Sequence, residues 1–481
     1  MYPREQIPVS SLNCRAESRH ADNKTARRSA RRMRPVRWAR SSAFLSLLSV
    51  CALACGSTIT SLGSPASGVQ GRLHGETKPS YVHARVASLH GGPPVSSHAT
   101  GKPVETAPGF ADFDRRARAG AHLNVVFFGA SLTWGANASD PQRTSYRANV
   151  ARRFEEHYPD AHFRFFDAAI GGTGSQLAVF RLERDVLRYH PDLVFLDFTA
   201  NDEITLADPE TLSSYESLMR RIITQANAPV VQMIIPFEWN VRQGNLDAFK
   251  RRTAHLQLSR AYGTAVGDAV ALAIDRVRTG VMPIEKLWPI DGAHPGDAGY
   301  DLISDAAWKG YSDGVSRNLI CRAPGKMIYA DTYMTSLRSP LSALPSLPSG
   351  WSAGQPNRVS AYYDMLMSRW LDSEIVATYK GSNPQPLKLR FHGSMAMVFG
   401  EGTMQTGRYR VTVDGKAKDY DTGALARGAR GNTHLVQLLA SGLDPAAEHT
   451  LVIEPLLEDG QELRFESLCV AGGRPEVIEA P

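Results

Sequence analysis

The sequence predicts two structural units in succession: an α/β unit with a mostly parallel sheet covered by helices on both faces, then a β-sandwich of jelly-roll type. Three observations predict it. From about Asn124 to Tyr311, short apolar runs alternate with helical patterns. After Cys321 the pattern changes to short strands separated by turn residues. At 481 residues the chain has room for two domains and at least one large core.

The elements follow in order. Asn124–Phe128 reads as a first strand and Tyr146–His157 as a helix that ends before Pro159. Phe163–Phe166 is a second strand. Gln176–Tyr189 reads as one amphipathic helix, with Leu177, Phe180 and Leu187 on one face. Leu193–Phe198 is apolar without interruption, as expected of a strand buried on both faces. Asp208-Pro209 opens the next helix, and Leu212, Tyr215, Met219 and Ile222 form its inner stripe. Val230–Ile235 is a fourth strand, Thr264–Val266 lies in a fifth, and Asp297–Tyr311 is the last helix. Such βα alternation specifies a parallel sheet. Segment 340–358 is rich in Pro, Ser and Gly. Leu387–Phe391, Met395–Phe399, Tyr409–Val413, His449–Ile453 and Leu463–Val470 then read as strands. Asp414-Gly415, directly after an alternating run, is a hairpin signal.

The amino-terminal part reads as a leader. The formal charge of +6 is concentrated there, because residues 1–40 hold 11 Lys/Arg against 3 Asp/Glu. The remainder, with 43 basic and 45 acidic residues, is close to neutral and does not suit nucleic-acid binding. Arg34, Arg37 and Arg40 precede the short apolar run Ser41–Leu53, and Ala52-Leu53-Ala54 fits a cleavage site before Cys55. The expected organisation is a leader over 1–55, with a signal peptide at 33–54, a flexible linker over 56–108, a catalytic domain over 109–320 and a sandwich over 321–475. Export to the periplasm, the outer membrane or the medium is the expected fate. Cys55 at the cut also fits a lipid anchor. Beyond it, Cys321 and Cys469 are the remaining cysteines, and in an oxidising compartment they are expected to pair.

Four motifs carry chemistry, each after a strand or before a helix. They are Gly129-Ala130-Ser131, Ile170-Gly171-Gly172, Thr199-Ala200-Asn201-Asp202 and Asp291-Gly292-Ala293-His294. The carboxyl ends of strands in an open α/β sheet share one crevice, so motifs far apart in sequence can converge. Their residue types suit acyl transfer. Ser131 needs a base to become a nucleophile, His294 can be that base, and Asp291 can orient the imidazole. The oxyanion formed by attack needs fixed donors, which the N–H groups of Ser131 and Gly172 and the Asn201 amide would supply. No Cys/His cluster has metal-ligand spacing, and no glycine-rich loop has the phosphate-cradling form. Asp202 reads as structural and Trp134 as a packing residue. Trp239 is open between packing and lining a substrate pocket.

Together these blocks resemble the SGNH/GDSL hydrolase family, whose conserved residues are Ser, Gly, Asn and a D-x-x-H pair in this order. The stretch from Ile170 through Arg181-Leu182-Glu183 to Asn201 is similar to the branch that contains platelet-activating-factor acetylhydrolase, and that similarity points to Gly172 as the oxyanion glycine. Ala130 stands where the family usually has an acid, outside both triad and oxyanion hole. The resemblance implies a flavodoxin-like three-layer α/β/α fold and hydrolysis of esters, often acetyl esters on carbohydrates, without a cofactor. The function expected is that of an exported serine esterase acting on an acylated carbohydrate. The same triad would also serve a polysaccharide O-acetyltransferase, and a non-catalytic glycan-binding protein is the other alternative. Trp351, Tyr362, Tyr363 and Trp370 are aromatics that could stack on sugar rings or pack in the sandwich core.

Overall fold

The computed structural model describes residues 107–357, 371–429 and 431–479, which form one compact unit. The leader, the signal peptide, the linker up to residue 106, Cys55, Tyr362, Tyr363 and Trp370 lie outside the described residues.

The apolar runs become a five-stranded parallel sheet: β1 (His122–Gly129), β2 (His162–Ala169), β3 (Leu193–Leu196), β4 (Val230–Ile234) and β5 (Ala265–Asp268), in the order β2-β1-β3-β4-β5. The reversal at β1 places β3 beside it, in register from Val125 opposite Leu193. Burial on both faces explains why β3 and β4 carry no polar alternation. Helices α1 (Phe110–Arg118), α2 (Ser131–Trp134), α3 (Tyr146–His157), α4 (Ser175–Val179), α5 (Leu182–Asp185), α6 (Pro209–Arg221), α7 (Glu238–Gln243), α8 (Lys250–Tyr262), α9 (Ala269–Arg278), α10 (Ile284–Leu287) and α11 (Asp297–Ser316) connect and cover the strands. The first turn of α6 is closed as its sequence requires: Pro209 opens it, and the Asp208 side chain accepts from Thr211 N at 3.2 Å. Such a cap contributes about 1 kcal/mol. The apolar stripe of α6 is fully buried.

The single helix expected over 176–189 is instead broken into α4, α5 and a 3-10 turn. Arg181 is the physical reason. Its buried guanidinium turns inward and donates to Ala168 O at 2.6 Å and Gly129 O at 2.8 Å, at the ends of β2 and β1. The ring of Phe128 lies 4.6 Å beneath it, and Asp185 pairs with it at 3.2 Å. This side chain thereby ties the ends of β1 and β2 together at the rim of the sheet, where Gly129 O also accepts from Ile170 N at 3.2 Å. Leu177, Phe180 and Leu187 still face the core as the periodicity requires.

The carboxyl-terminal part is two antiparallel sheets. One contains β6 (Ser336–Pro340), β7 (Trp351–Gly354), β8 (Glu374–Thr378), β10 (Met395–Gly402), β13 (Thr433–Ser441) and β15 (Glu462–Ala471), in the order β13-β10-β15-β8-β7 with β6 on β15. The other contains β9 (Leu387–His392), β11 (Arg408–Val413), β12 (Lys416–Asp421), β14 (Glu448–Leu456) and β16 (Glu476–Glu479), in the order β12-β11-β14-β9-β16. The Asp414-Gly415 turn joins β11 to β12, both residues having positive φ (48° and 77°), as a two-residue hairpin demands. Trp351 is buried in the core between these sheets, its indole N–H donating to Gln385 O.

The first sheet has two buried faces. Ala396 and Val398 point into the sandwich core, whereas Met395, Met397 and Phe399 belong to the core of the parallel sheet. The connection between the parts is fastened by buried Glu216 on α6, whose carboxylate accepts from Tyr262 OH and from the N–H groups of Ile328 and Tyr329.

The expected disulfide is absent. Cys321 and Cys469 are free, buried thiols. Cys321 lies against Gly263, with its sulfur 3.4 Å from that carbonyl. Cys469 sits in mid-β15, its sulfur 3.7 Å from Ser467 Oγ. Burial pushes both thiols up to about 12. Each fills its own site in the apolar core as a small hydrophobe, which spacing in the sequence does not distinguish from a bridge.

Candidate active site

Ser131 is the first residue of α2, directly after β1, and its side chain is nearly buried. Gly129 must lack a side chain for this turn: an added Cβ would lie 2.8 Å from Asp197 O and closer still to the Thr133 side chain. Asp291 and His294 occupy the loop that leads into α11. His294 Nε2 lies 3.1 Å from Ser131 Oγ, and His294 Nδ1 lies 3.3 Å from Asp291 Oδ2. The carboxylate fixes the tautomer, so Nδ1 carries the hydrogen and Nε2 is the acceptor toward the serine hydroxyl. Asp291 Oδ1 also accepts from the N–H groups of Ala293 and His294, both at 2.7 Å, which curls the D-x-x-H segment into a turn.

Sequence reasoning missed Asn137. It follows α2 with a left-handed backbone (φ 67°), a conformation asparagine tolerates better than most residues. Its amide donates to Asp291 Oδ2 at 2.7 Å. Burial by itself would raise the Asp291 carboxyl. The hydrogen bonds and charge of His294 and the Asn137 amide outweigh it and bring the pKa down to about 2. Asp297 braces the same loop, accepting from Ser139 N and Thr144 Oγ1, both at 2.8 Å, while Tyr300 OH donates to Ala136 O.

The second and third motifs meet on the other side. Gly172 lies in the turn after β2 with φ +70°, a backbone that favours glycine. Thr173 Oγ1 closes that turn on Ile170 O at 2.8 Å. Asn201 lies half-buried in the turn after β3. Its neighbour Asp202 is buried, accepts from Ser175 N at 2.9 Å and faces Arg251 at 3.8 Å, tying the third motif to the second. Trp134 packs with Ala136, Ala169 and Ile170 beneath the same rim. Behind Ser131, buried Asp197 accepts from Thr133 Oγ1 at 3.2 Å, and burial pushes its carboxyl up to about 7. Trp239, on α7, is half-exposed, lies tilted against the Phe237 ring with centroids 4.6 Å apart, and sits beside Gly292 of the D-x-x-H loop. Exposed Ile290 precedes Asp291.

A serine, a histidine and a carboxylate in hydrogen-bonded series at the carboxyl end of a parallel sheet define a nucleophilic hydrolase of the α/β class. Residues 127–302 match the sequence model of the GDSL-like lipase/acylhydrolase family. The protein is accordingly a carboxylic ester hydrolase. No curated protein matches it in sequence. Among solved structures it is similar to CEX, a two-domain esterase active on acetylated mannans. Co-crystallised with mannopentaose, that protein aligns at 21% identity and TM-score 0.62, over 77% of this chain and 97% of the other. A second structure of it aligns at 21% identity and TM-score 0.61, over 77% and 98%. An acetyl xylan esterase, Axe2 from Geobacillus stearothermophilus, aligns with 42% of this chain and 97% of its own, at 18% identity and TM-score 0.34. The likeness to CEX extends through both parts of the fold.

Proposed function

We propose that the protein is an exported serine esterase that removes O-acetyl groups from a polysaccharide. The observation that carries this reading is the Ser131–His294–Asp291 series, with 3.1 and 3.3 Å contacts. In the first step Ser131 Oγ attacks the ester carbonyl carbon while His294 Nε2 takes the hydroxyl proton. Asp291, held ionised, stabilises the imidazolium. The Ser131 and Gly172 N–H groups and the Asn201 amide stabilise the oxyanion. His294 returns its proton to the sugar oxygen as the C–O bond breaks, leaving acetyl-Ser131. Water, deprotonated by His294, then attacks the acyl carbon and releases acetate and the free serine.

The likeness of fold to an esterase active on acetylated mannans supports a carbohydrate ester as substrate. The basic, apolar leader with its cleavage site supports export. The test has two parts. Aryl esters of increasing chain length should be hydrolysed fastest as acetates. Acetylated mannan should release acetate with the wild type and not with Ser131→Ala. Equal release by both proteins would refute the assignment.

A further inference from the structure

The oxyanion side of the crevice is touched from the sandwich. In β13, Leu435 points into the sandwich core, while Val436 and Leu438 pack against the core of the hydrolase. His434 begins this second row, paired across the ladder with Glu401 of β10. It reaches the Gly172 turn: a Cβ added to Gly172 would lie 2.7 Å from His434 Cε1 and 3.6 Å from both ring nitrogens. The ring also makes a hydrogen bond to the Gly172 backbone, of the kind that favours the protonated imidazole. Such a bond has the ring N–H as donor, so the acceptor is the Gly172 carbonyl. Burial acts in the opposite sense and prevails, so the ring is held below the usual histidine range and stays neutral near pH 7, with one N–H to give.

This contact has a mechanical meaning. Gly172 has no side chain to restrict it, and φ +70° is one of several backbone conformations open to glycine. Thr173 closes the turn on one side, at Ile170 O. The Gly172 carbonyl is held from the sandwich, by the His434 ring. Rotation about Gly172 would swing its N–H away from the developing oxyanion, and a displacement of about 1 Å at such a donor can cost about 100-fold in rate.

We propose that His434, carried on β13 of the sandwich, is a positioning residue that fixes the Gly172 peptide as an oxyanion donor. The proposal rests on the esterase reading above. It makes the second domain part of the catalytic apparatus for the reacting ester itself, whatever else that domain binds.

The test compares His434→Leu, which keeps most of the side-chain volume without a donor, with His434→Gln, which keeps a donor, in the full-length chain. On an aryl acetate, the Leu variant should lose about 10–100-fold in kcat with KM within about two-fold of wild type. The Gln variant should recover at least a third of wild-type kcat. A His434→Ala variant should regain activity saturably when imidazole is added. Thermal unfolding of each variant identifies any that does not fold, and the Gln variant alone then decides, since it keeps both donor and bulk. Wild-type kcat in the Leu variant, or a loss that neither Gln nor imidazole restores, overturns the proposal. Ser131→Ala is run in parallel: if it matches wild type, the esterase reading has failed, independently of how the His434 variants behave.

Discussion

The two sides of the catalytic crevice are held in different ways. On the proton-relay side, Ser131, Asn137, Asp291 and His294 support one another within the α/β domain, and the braces come from the loop after α2 and from Asp297 and Tyr300 of α11. On the oxyanion side, the Gly172 turn is closed internally by Thr173 but meets His434 from the sandwich. The relay is thus self-contained, while the oxyanion side leans on a second domain. Changes on the relay side should act through chemistry alone, and changes on the oxyanion side should couple across the domain boundary.

The largest effect tests the relay. Ser131→Ala or His294→Ala should lower kcat by about 10,000-fold or more, and the double variant should lose little beyond either single one, since the residues act as a unit. Steady-state kinetics on an aryl acetate measures this, and multiplying losses would break the picture of a single relay.

Gly172→Ala should come next, with a loss of about 100- to 1,000-fold, the scale of one oxyanion donor. An alanine there must hold φ +70° and place its Cβ 2.7 Å from the His434 ring. Adding His434→Leu should cost much less in the Gly172→Ala background than in wild type. Fully additive losses in this cycle would separate the two residues and undo the comparison.

A smaller loss is expected on the relay side from Asn137→Ala, about 10-fold in kcat, because Asp291 keeps its backbone donors and His294 when the amide is gone. KM should change little.

The smallest effect on rate concerns Asp197, whose signature is in stability. Its carboxyl titrates at about 7 in the folded chain and near the ordinary aspartate value when unfolded. Between about pH 4 and pH 7 the folded state keeps a proton that the unfolded state has lost, so this group makes stability fall as pH rises. Above pH 7 both states are ionised and the dependence ends. Asp197→Asn should therefore be relatively more stabilised at pH 7.5 than at pH 4.5. Melting temperatures of both proteins at the two pH values measure it, and a difference independent of pH would contradict the assignment.

Much of the hydrolase fold was legible because it obeys local rules. The uninterrupted runs at Val125–Phe128 and Leu193–Leu196 became inner strands, α3 stops before Pro159, and α6 starts where Asp208 and Pro209 direct. The Ser131–His294–Asp291 series was legible because residue type and order carry its chemistry, wherever the strand ends place it. What failed was decided by distant partners. The helix around Arg181 breaks where its guanidinium turns inward to carbonyls at the ends of β1 and β2, one of them 52 positions away in sequence. Asn137 and His434 gain their meaning from a loop and a turn they meet only after folding. In the sandwich, Thr433–Ser441 escapes the sequence reading because Leu435 faces the sandwich core while Val436 and Leu438 pack against the hydrolase, which blurs the expected alternation of polar and apolar residues. The paired cysteines failed for a similar reason, since two buried thiols and a bridge look alike in a sequence.

The sheet with two buried faces has a consequence for how the molecule comes apart. Met395, Met397 and Phe399 on one side of β10, with Ala471 on β15, share a continuous apolar interior with Phe127, Phe195 and Tyr215. A polypeptide cut after residue 320 would expose that surface of the hydrolase to water, and the released sandwich would show the matching one, so neither piece inherits a finished exterior. Heat should therefore melt the two parts together, in a single cooperative calorimetric peak. The catalytic domain of this chain is consequently not a portable module.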